Sequence, residues 1–376
     1  MKKPVTVFLL AVLLFTCASV LSAAWTTKQL TKNTGSSQMP AVAASGSYVY
    51  VVWEDYTLGA GEIYLCRSGD NGATWYAIKN ISNNPATSLR PDIAASGANV
   101  YVVWQDATPG DPDIYFRRSA DRGATWEAAK RITFTAGQSR NPAAAANGAS
   151  VYVTWQDDTP GNHETYFRRS GDNGSTWNTV KRLTHNAGDS VSPAIAVDGA
   201  AVGLVWSDDT PGPYDAFFRR SANWGLGWEA AQKLSASSGQ TESPAIAISG
   251  SDVYVAGEND YTGNDEIYFN ISADNGSTWS SAQQLTNTSG TSGQPALAAD
   301  GSDVYLTWHD STPGNSEVYF RKSADNGSTW GATKRLTYSD AASGLTDVAV
   351  NTVNVYVVYT DLTGGDGEIF VKYSPR

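Results

Sequence analysis

The chain is expected to fold as an all-β, seven-bladed β-propeller of four-stranded antiparallel blades, its ring closed by the N-terminal strand completing the last blade. Three observations predict this. First, Trp75, Trp126, Trp177, Trp228, Trp279 and Trp330 lie 51 residues apart, as do Trp53, Trp104, Trp155, Trp206, Gly257, Trp308 and Tyr359. So strict a period in so short a unit marks a repeat architecture. Second, each unit holds four short runs rich in β-branched and aromatic residues, cut by Gly- and Pro-bearing turns, and no window sustains a helical period. Third, the strand count is uneven in a way that only ring closure repairs.

In the second unit the runs are Pro91 to Ser96, Val100 to Trp104, Asp113 to Arg118 and Trp126 to Ile132, labelled A, B, C and D. Four short strands per roughly 50 residues is the pattern of a propeller blade. The A–B–C set occurs seven times, starting near Pro40, Pro91, Pro142, Pro193, Pro244, Pro295 and Thr346, but only six D strands follow. The seventh is at the other end of the chain. Trp25-Thr26-Thr27-Lys28-Gln29-Leu30-Thr31 reads like Trp330 to Thr337, one residue shorter, and should pair with the strand at Glu368–Tyr373. A closed ring leaves no exposed blade interface.

The first 23 residues read as a secretory signal peptide: Lys2-Lys3, an apolar run from Val5 to Leu14, and small residues up to Ala24. The apolar run is short of the roughly 20 residues a membrane span needs. A lipidated Cys17 is disfavoured by bulky Phe15 and by Thr16. A single propeller domain, residues 24–376, is expected after cleavage. Removing Lys2 and Lys3 leaves 24 basic and 37 acidic residues, a net charge of −13. Such a surface repels nucleic acid and anionic lipid, so partners are expected to be neutral, cationic or metal-bridged. Cys66 is the one remaining cysteine, so no intrachain disulfide forms and packing must supply the stability.

The turn between C and D reads Ser68-Gly69-Asp70-Asn71-Gly72-Ala73-Thr74-Trp75 and recurs from Ser119, Ser170, Ser272 and Ser323, with a degraded copy at Ser221 to Trp228. The Asp (Asp70, Asp121, Asp172, Asp274, Asp325) can accept turn N–H groups, and the Gly takes a left-handed φ. This S-x-D-x-G-x-T-W pattern resembles the Asp-box, or BNR repeat, of the sialidase-like propellers. The resemblance covers the whole mature chain and implies structural boxes lying away from the ligand face. For a sialidase it also implies an arginine triad, a Tyr–Glu nucleophile pair, an Asp acid/base and an early Arg-Ile-Pro motif. That motif does not occur in this chain. In a propeller the D–A and B–C loops share the ligand face, and Arg90 and Arg140 are the arginines expected on the D–A loops.

Two acidic positions recur at the B–C hairpin: Asp55, Asp106, Asp157, Asp208, Asn259, Asp310 and Asp361, then Glu62, Asp113, Glu164, Asp215, Glu266, Glu317 and Glu368. Clustered carboxylates suit a hard cation such as Ca²⁺. Sevenfold repetition favours loop fastening instead, the first acid capping the turn and the second pairing with backbone or with a neighbouring blade's Lys or Arg. The three histidines, His163, His185 and His309, share no repeat position, so neither a metal centre nor a cofactor is expected. Departures from the repeat are where a single site would show. Candidate ligand-binding residues are therefore Tyr56, Arg90, Asp92, Arg140, Asn141, Asp157, Glu164, Glu242 and Tyr261. No catalytic set is assigned.

The expected function is a secreted or surface binding module, monomeric, with a glycan or a surface protein as partner. A sialidase-type exo-glycosidase with a divergent site is the second reading, and a scaffold without small ligand the third. Multivalent pockets between B–C loops and a single ligand on the ring axis both remain open.

Overall fold

The computed structural model describes residues 24–210, 212–235 and 239–376, so the expected signal peptide lies outside it. Seven four-stranded antiparallel sheets follow one another around a ring, and no helix is present among the described residues. Blade 1 begins at strand A Ser37–Ser45 and blade 2 at Ser88–Ser96. The later A strands are Ser139–Asn147, Ser190–Asp198, Thr241–Ser249, Ser292–Asp300 and Ser343–Val350. Blade 7 is completed from the N-terminus: Thr26–Gln29 pairs antiparallel with strand C, Glu368–Pro375, placing Thr26 opposite Tyr373 and Gln29 opposite Phe370.

Two boundaries differ from expectation. Strand A begins three residues before the Pro, at Ser37 or Ser88, and carries a bulge there in every blade. Arg90 and Arg140 therefore belong to strand A, not to the D–A loops. The residue before each Pro takes a positive φ, which interrupts the ladder and lets it resume two residues on. In blades 1 to 6 strand D is also shorter than its apolar pattern suggests, only two paired residues such as Lys130–Arg131. The rest of that run keeps only single backbone bonds to strand C, such as Ile132 N to Ile114 O and Glu127 N to Arg118 O, and packs side chains onto the neighbouring blade.

The core lies between blades. Trp104 of blade 2 is buried with Ile63, Leu65 and Ile81 of blade 1, and the other interfaces repeat this. The turn tryptophans also cross to the preceding blade: Trp177 meets Phe116 edge-on at 5.0 Å, as Trp228 meets Phe167. Such pairs add about 0.5–1.5 kcal/mol to the burial itself.

The Ser-x-Asp turns hold themselves. Asp172 Oδ1 accepts from Ser170 Oγ (2.7 Å) and Thr176 N (2.8 Å), and Oδ2 accepts from Thr176 Oγ1 (2.6 Å). The Thr176 bonds hold this carboxyl down at about 2. The degraded copy keeps part of the geometry, because Asn223 Oδ1 accepts from Ser221 Oγ and Gly227 N. Each turn packs on the A–B turn, for example through Asn71 N to Ser47 O at 2.9 Å.

The acidic rings at the other face are internal. Asn84 ties two blades together: its N–H donates to Glu62 Oε1 of blade 1 and its Nδ2 to Asp106 Oδ2 of blade 2. Asn33 and Asn186 repeat the strap between their own pairs. The second acid also takes an ion pair, but from strand D of its own blade rather than from a neighbouring one. The pairs are Arg131 with Asp113, Arg182 with Glu164, Lys233 with Asp215 and Arg335 with Glu317.

Candidate functional site on the ring axis

Seven A strands converge on the axis, and their bulges open a funnel of about 390 Å³ on the face that carries the D–A and B–C loops. Its rim is one residue from each blade, the one before Pro in six of them and before Thr346 in blade 7: Met39, Arg90, Asn141, Ser192, Ser243, Gln294 and Leu345. All seven have φ between 48° and 53°, a conformation uncommon for residues other than Gly and enriched at functional sites. In four of the seven the strain is held by the penultimate residue of strand B in the preceding blade. Glu54 Oε2 accepts from Arg90 N (2.9 Å), Gln105 Oε1 from Asn141 N (3.1 Å), Gln156 Oε1 from Ser192 N (3.0 Å) and Glu258 Oε2 from Gln294 N (2.7 Å). These clasps fix where the rim side chains start, which is the preorganisation a binding site needs.

Of the residues singled out from sequence, Arg90, Asp92 and Asn141 line this funnel. Arg90 is exposed, while the Asn141 amide donates back to Gln156 Oε1 at 3.0 Å. Tyr56 stands beside the clasp and donates to Glu54 Oε1 at 3.3 Å. Burial pushes the Glu54 carboxyl above the usual carboxylate range. Arg140, one residue earlier in its strand than the rim position, contacts Gln138 instead of the axis. Glu242 is exposed, and burial together with the nearby Glu258, Asp265 and Asp260 raises its carboxyl. Tyr261 is exposed on its B–C loop, away from the funnel lining.

Asp157 and Glu164 are fully buried. Asp157 accepts from Thr135 Oγ1, Ser139 Oγ and Thr159 N, and Glu164 from Arg182 and Asn186 N. Both are fasteners of the loop, so this acidic pair is not presented to solvent for a sugar to touch. The rim residues Met39, Ser192, Ser243, Gln294 and Leu345 and the clasps behind them escaped the sequence reading. A signal was present: the Pro recurs in six units while the residue before it changes in almost every one.

Lower in the funnel, Asp92 and Asp347 stand where the other five blades carry alanine. Asp92 accepts from Ile93 N and Ala144 N, and Asp347 from Val348 N and Val42 N. Burial pushes Asp92 up to about 6 and, with Asp92 as a like charge, Asp347 up to about 7. A raised carboxyl contributes stability below its unfolded value near pH 4, and that contribution is lost as pH rises through the folded value. The wild type is therefore expected to lose stability between pH 4 and pH 7. The Asp92→Ala/Asp347→Ala variant should flatten that fall by about 2 kcal/mol, after allowance for solvent in the open funnel. Melting curves at pH 4.5 and pH 8 check this, and a variant profile parallel to the wild type would show that neither carboxyl is raised.

Comparison with solved structures finds similar β-propeller folds. The phage phi92 endosialidase superposes with a TM-score of 0.57 at 10% identity, over 94% of this chain and 69% of that one. A Trypanosoma rangeli sialidase gives 0.54 at 11% identity, over 94% of this chain and 60% of its own length. The intramolecular trans-sialidase of Ruminococcus gnavus gives 0.50 at 10%, over 89% of this chain and 93% of that one. The chain has the fold of the sialidase-like propellers. No family model matches the sequence, and no curated protein matches it. Among the described residues no helix is long and apolar enough to cross a membrane.

Proposed function

We propose that the protein is a secreted glycan-binding propeller whose site is the axial funnel, and that it favours glycans bearing an acidic group. One observation carries the reading: five polar rim side chains, Arg90, Asn141, Ser192, Ser243 and Gln294, surround one funnel, four of them on a clasped backbone. Amides and hydroxyls exchange hydrogen bonds with sugar hydroxyls, and Arg90 supplies a cation for a carboxylate or sulfate. Met39 and Leu345 add apolar surface for the C–H face of a sugar ring. The volume falls within the roughly 300–1,000 Å³ of ligand pockets. Secretion rests on the leader-like residues 1–23.

Calorimetric titration against a panel of neutral and acidic glycans tests the proposal. One site per chain is expected. Arg90→Ala should weaken an acidic glycan about 10- to 100-fold, the worth of a charge-assisted hydrogen bond, and leave a neutral one nearly unchanged. A stoichiometry near seven that ignores Arg90 would move the site to the B–C loops. Failure to bind any glycan would favour a scaffold without small ligand.

A glycosidase of sialidase type is the second reading, favoured by the Tyr56–Glu54 pair beside Arg90. Against it, Arg90 is the single arginine lining the funnel among the described residues. Arg117, Arg168, Arg219 and Arg321 are committed to backbone carbonyls between blades. No turnover of fluorogenic sialosides is therefore expected. Turnover that disappears in Tyr56→Phe would establish the enzyme.

A further inference from the structure

Blade 5 departs from the repeat at the two side chains that cross to the preceding blade. In five blades a strand-B tryptophan stacks on the strand-C ring at 5.8–6.3 Å between centroids, as Trp104 does on Tyr115. In blade 7 Tyr359 stacks on Phe370 at 5.5 Å. Blade 5 keeps the strand-C ring, Tyr268, but has Gly257 at the tryptophan position. The second crossing side chain is the strand-C arginine, which in blades 2, 3, 4 and 6 reaches a strand-D carbonyl of the blade before. Blade 5 has Asn270 there, and its amide goes no further than Ser280 O of its own blade, at 3.2 Å. The facing residue of blade 4 is Ala216, where blades 1 and 2 have Ile63 and Ile114.

These losses coincide in space. A cavity of about 530 Å³ occupies the blade 4–blade 5 interface, lined by Ala216, Val255, Gly257, Tyr268 and Asn270, with exposed Tyr261 among its lining residues. The cluster at this interface, built around Phe218, Val205 and Leu234, is the one without a buried strand-B ring. Position 259 changes in step. In blades 1, 2 and 4 the aspartate ending strand B accepts the indole N–H, whereas blade 5 has Asn259. A buried aspartate deprived of that donor would be costly, and the amide removes the charge.

We propose that this cavity binds a small neutral aromatic molecule, a planar ring of indole size stacked on Tyr268 where tryptophan sits in the sister blades. The repeat supplies the shape argument, since five copies of the same frame hold an indole at this place. The lining supplies the chemistry. It is mostly apolar, its polar groups are the neutral Ser235, Thr241, Asn259, Asn270 and Ser281, and no charged side chain lines it among the described residues. That excludes an acidic sugar or an ion and separates this site from the axial funnel. Apolar cavities left by a missing large side chain do take up ring-shaped apolar molecules.

The test is ligand-observed NMR and calorimetry with indole as probe, on the mature chain. Saturable binding at one site per chain is expected, with a dissociation constant on the order of 0.1–1 mM for so small a ligand. The variant Thr241→Ser/Gly257→Trp/Asn259→Asp installs what the sister blades carry. Thr241 is included because its methyl lies 3.0 Å from where a Cβ on Gly257 would stand. It should bind indole at least tenfold more weakly and melt at a higher temperature. Tyr268→Ala removes the stacking face without filling the cavity and should also weaken indole about tenfold, so the test survives a misfolded triple variant. Absence of saturable indole binding to the wild type, or binding unchanged by Tyr268→Ala, overturns the proposal. Glycan titration of the same variants should be unaffected, so either reading can fail without the other.

Discussion

Deleting residues 25–31 is expected to destabilise the ring by about 4–8 kcal/mol, a large part of the 5–15 kcal/mol that typically separates folded from unfolded protein. The strand does more than add four ladder pairs to Glu368–Pro375. Trp25 packs edge-on against Phe320 of blade 6 at 5.0 Å, and removal of such a ring costs about 3–5 kcal/mol. Thr31 Oγ1 donates to Glu368 Oε2 at 2.5 Å and accepts from Ile369 N at 2.8 Å. Without Thr31 and the strap residue Asn33 held in place, a carboxylate loses its donors, at about 1–3 kcal/mol. Denaturant unfolding of the truncated chain measures the sum. An unchanged midpoint would mean that other contacts close the ring.

Trp104→Ala is expected to cost about 3–5 kcal/mol. Its indole is fully buried between blades 1 and 2, stacks on Tyr115 at 5.9 Å and donates from Nε1 to Asp106 Oδ2 at 2.8 Å. Truncation removes the transfer energy, leaves a cavity and takes one donor from a buried carboxylate. Gly257 is the same truncation already present in blade 5, where Asn259 and Ala216 accompany it. Adding Asp106→Asn to Trp104→Ala should therefore recover part of the loss. A Trp104→Ala unfolding free energy within about 1 kcal/mol of wild type, by the same measurement, would mean that the interface collapses to fill the space.

The repeat explains how much could be read beforehand. A residue required at the same place in most blades recurs at a fixed period, so Trp104 and its equivalents, the Ser-x-Asp turns and the strand that closes blade 7 are visible without coordinates. The acids and their loop-fastening role were visible too, but not how deeply that role buries them. Asp157 and Glu164 were also candidates for a ligand along the chain, and only the D–A loops folding across, Thr135 onto Asp157 and Asn186 onto Glu164, make them internal. Strand edges failed where backbone geometry overrides propensity. A positive φ at Arg90 lets strand A start before a Pro that reads as a strand opening, and a ladder of two residues suffices for D because side-chain packing holds the rest.

The architecture is written along the chain, because blade count, blade order and closure follow from periodic apolar spacing, which needs no knowledge of distant contacts. The tertiary structure decided what the blades can hold. Rim residues such as Arg90 and Gln294 are 204 positions apart along the chain and become neighbours of one funnel only when the ring closes. Gly257, Asn270 and Ala216 are separate substitutions in sequence and become one cavity only when blade 4 packs on blade 5. Both features are spaces between elements, and a space is set by what surrounds it in three dimensions rather than by the identity of any residue along the chain.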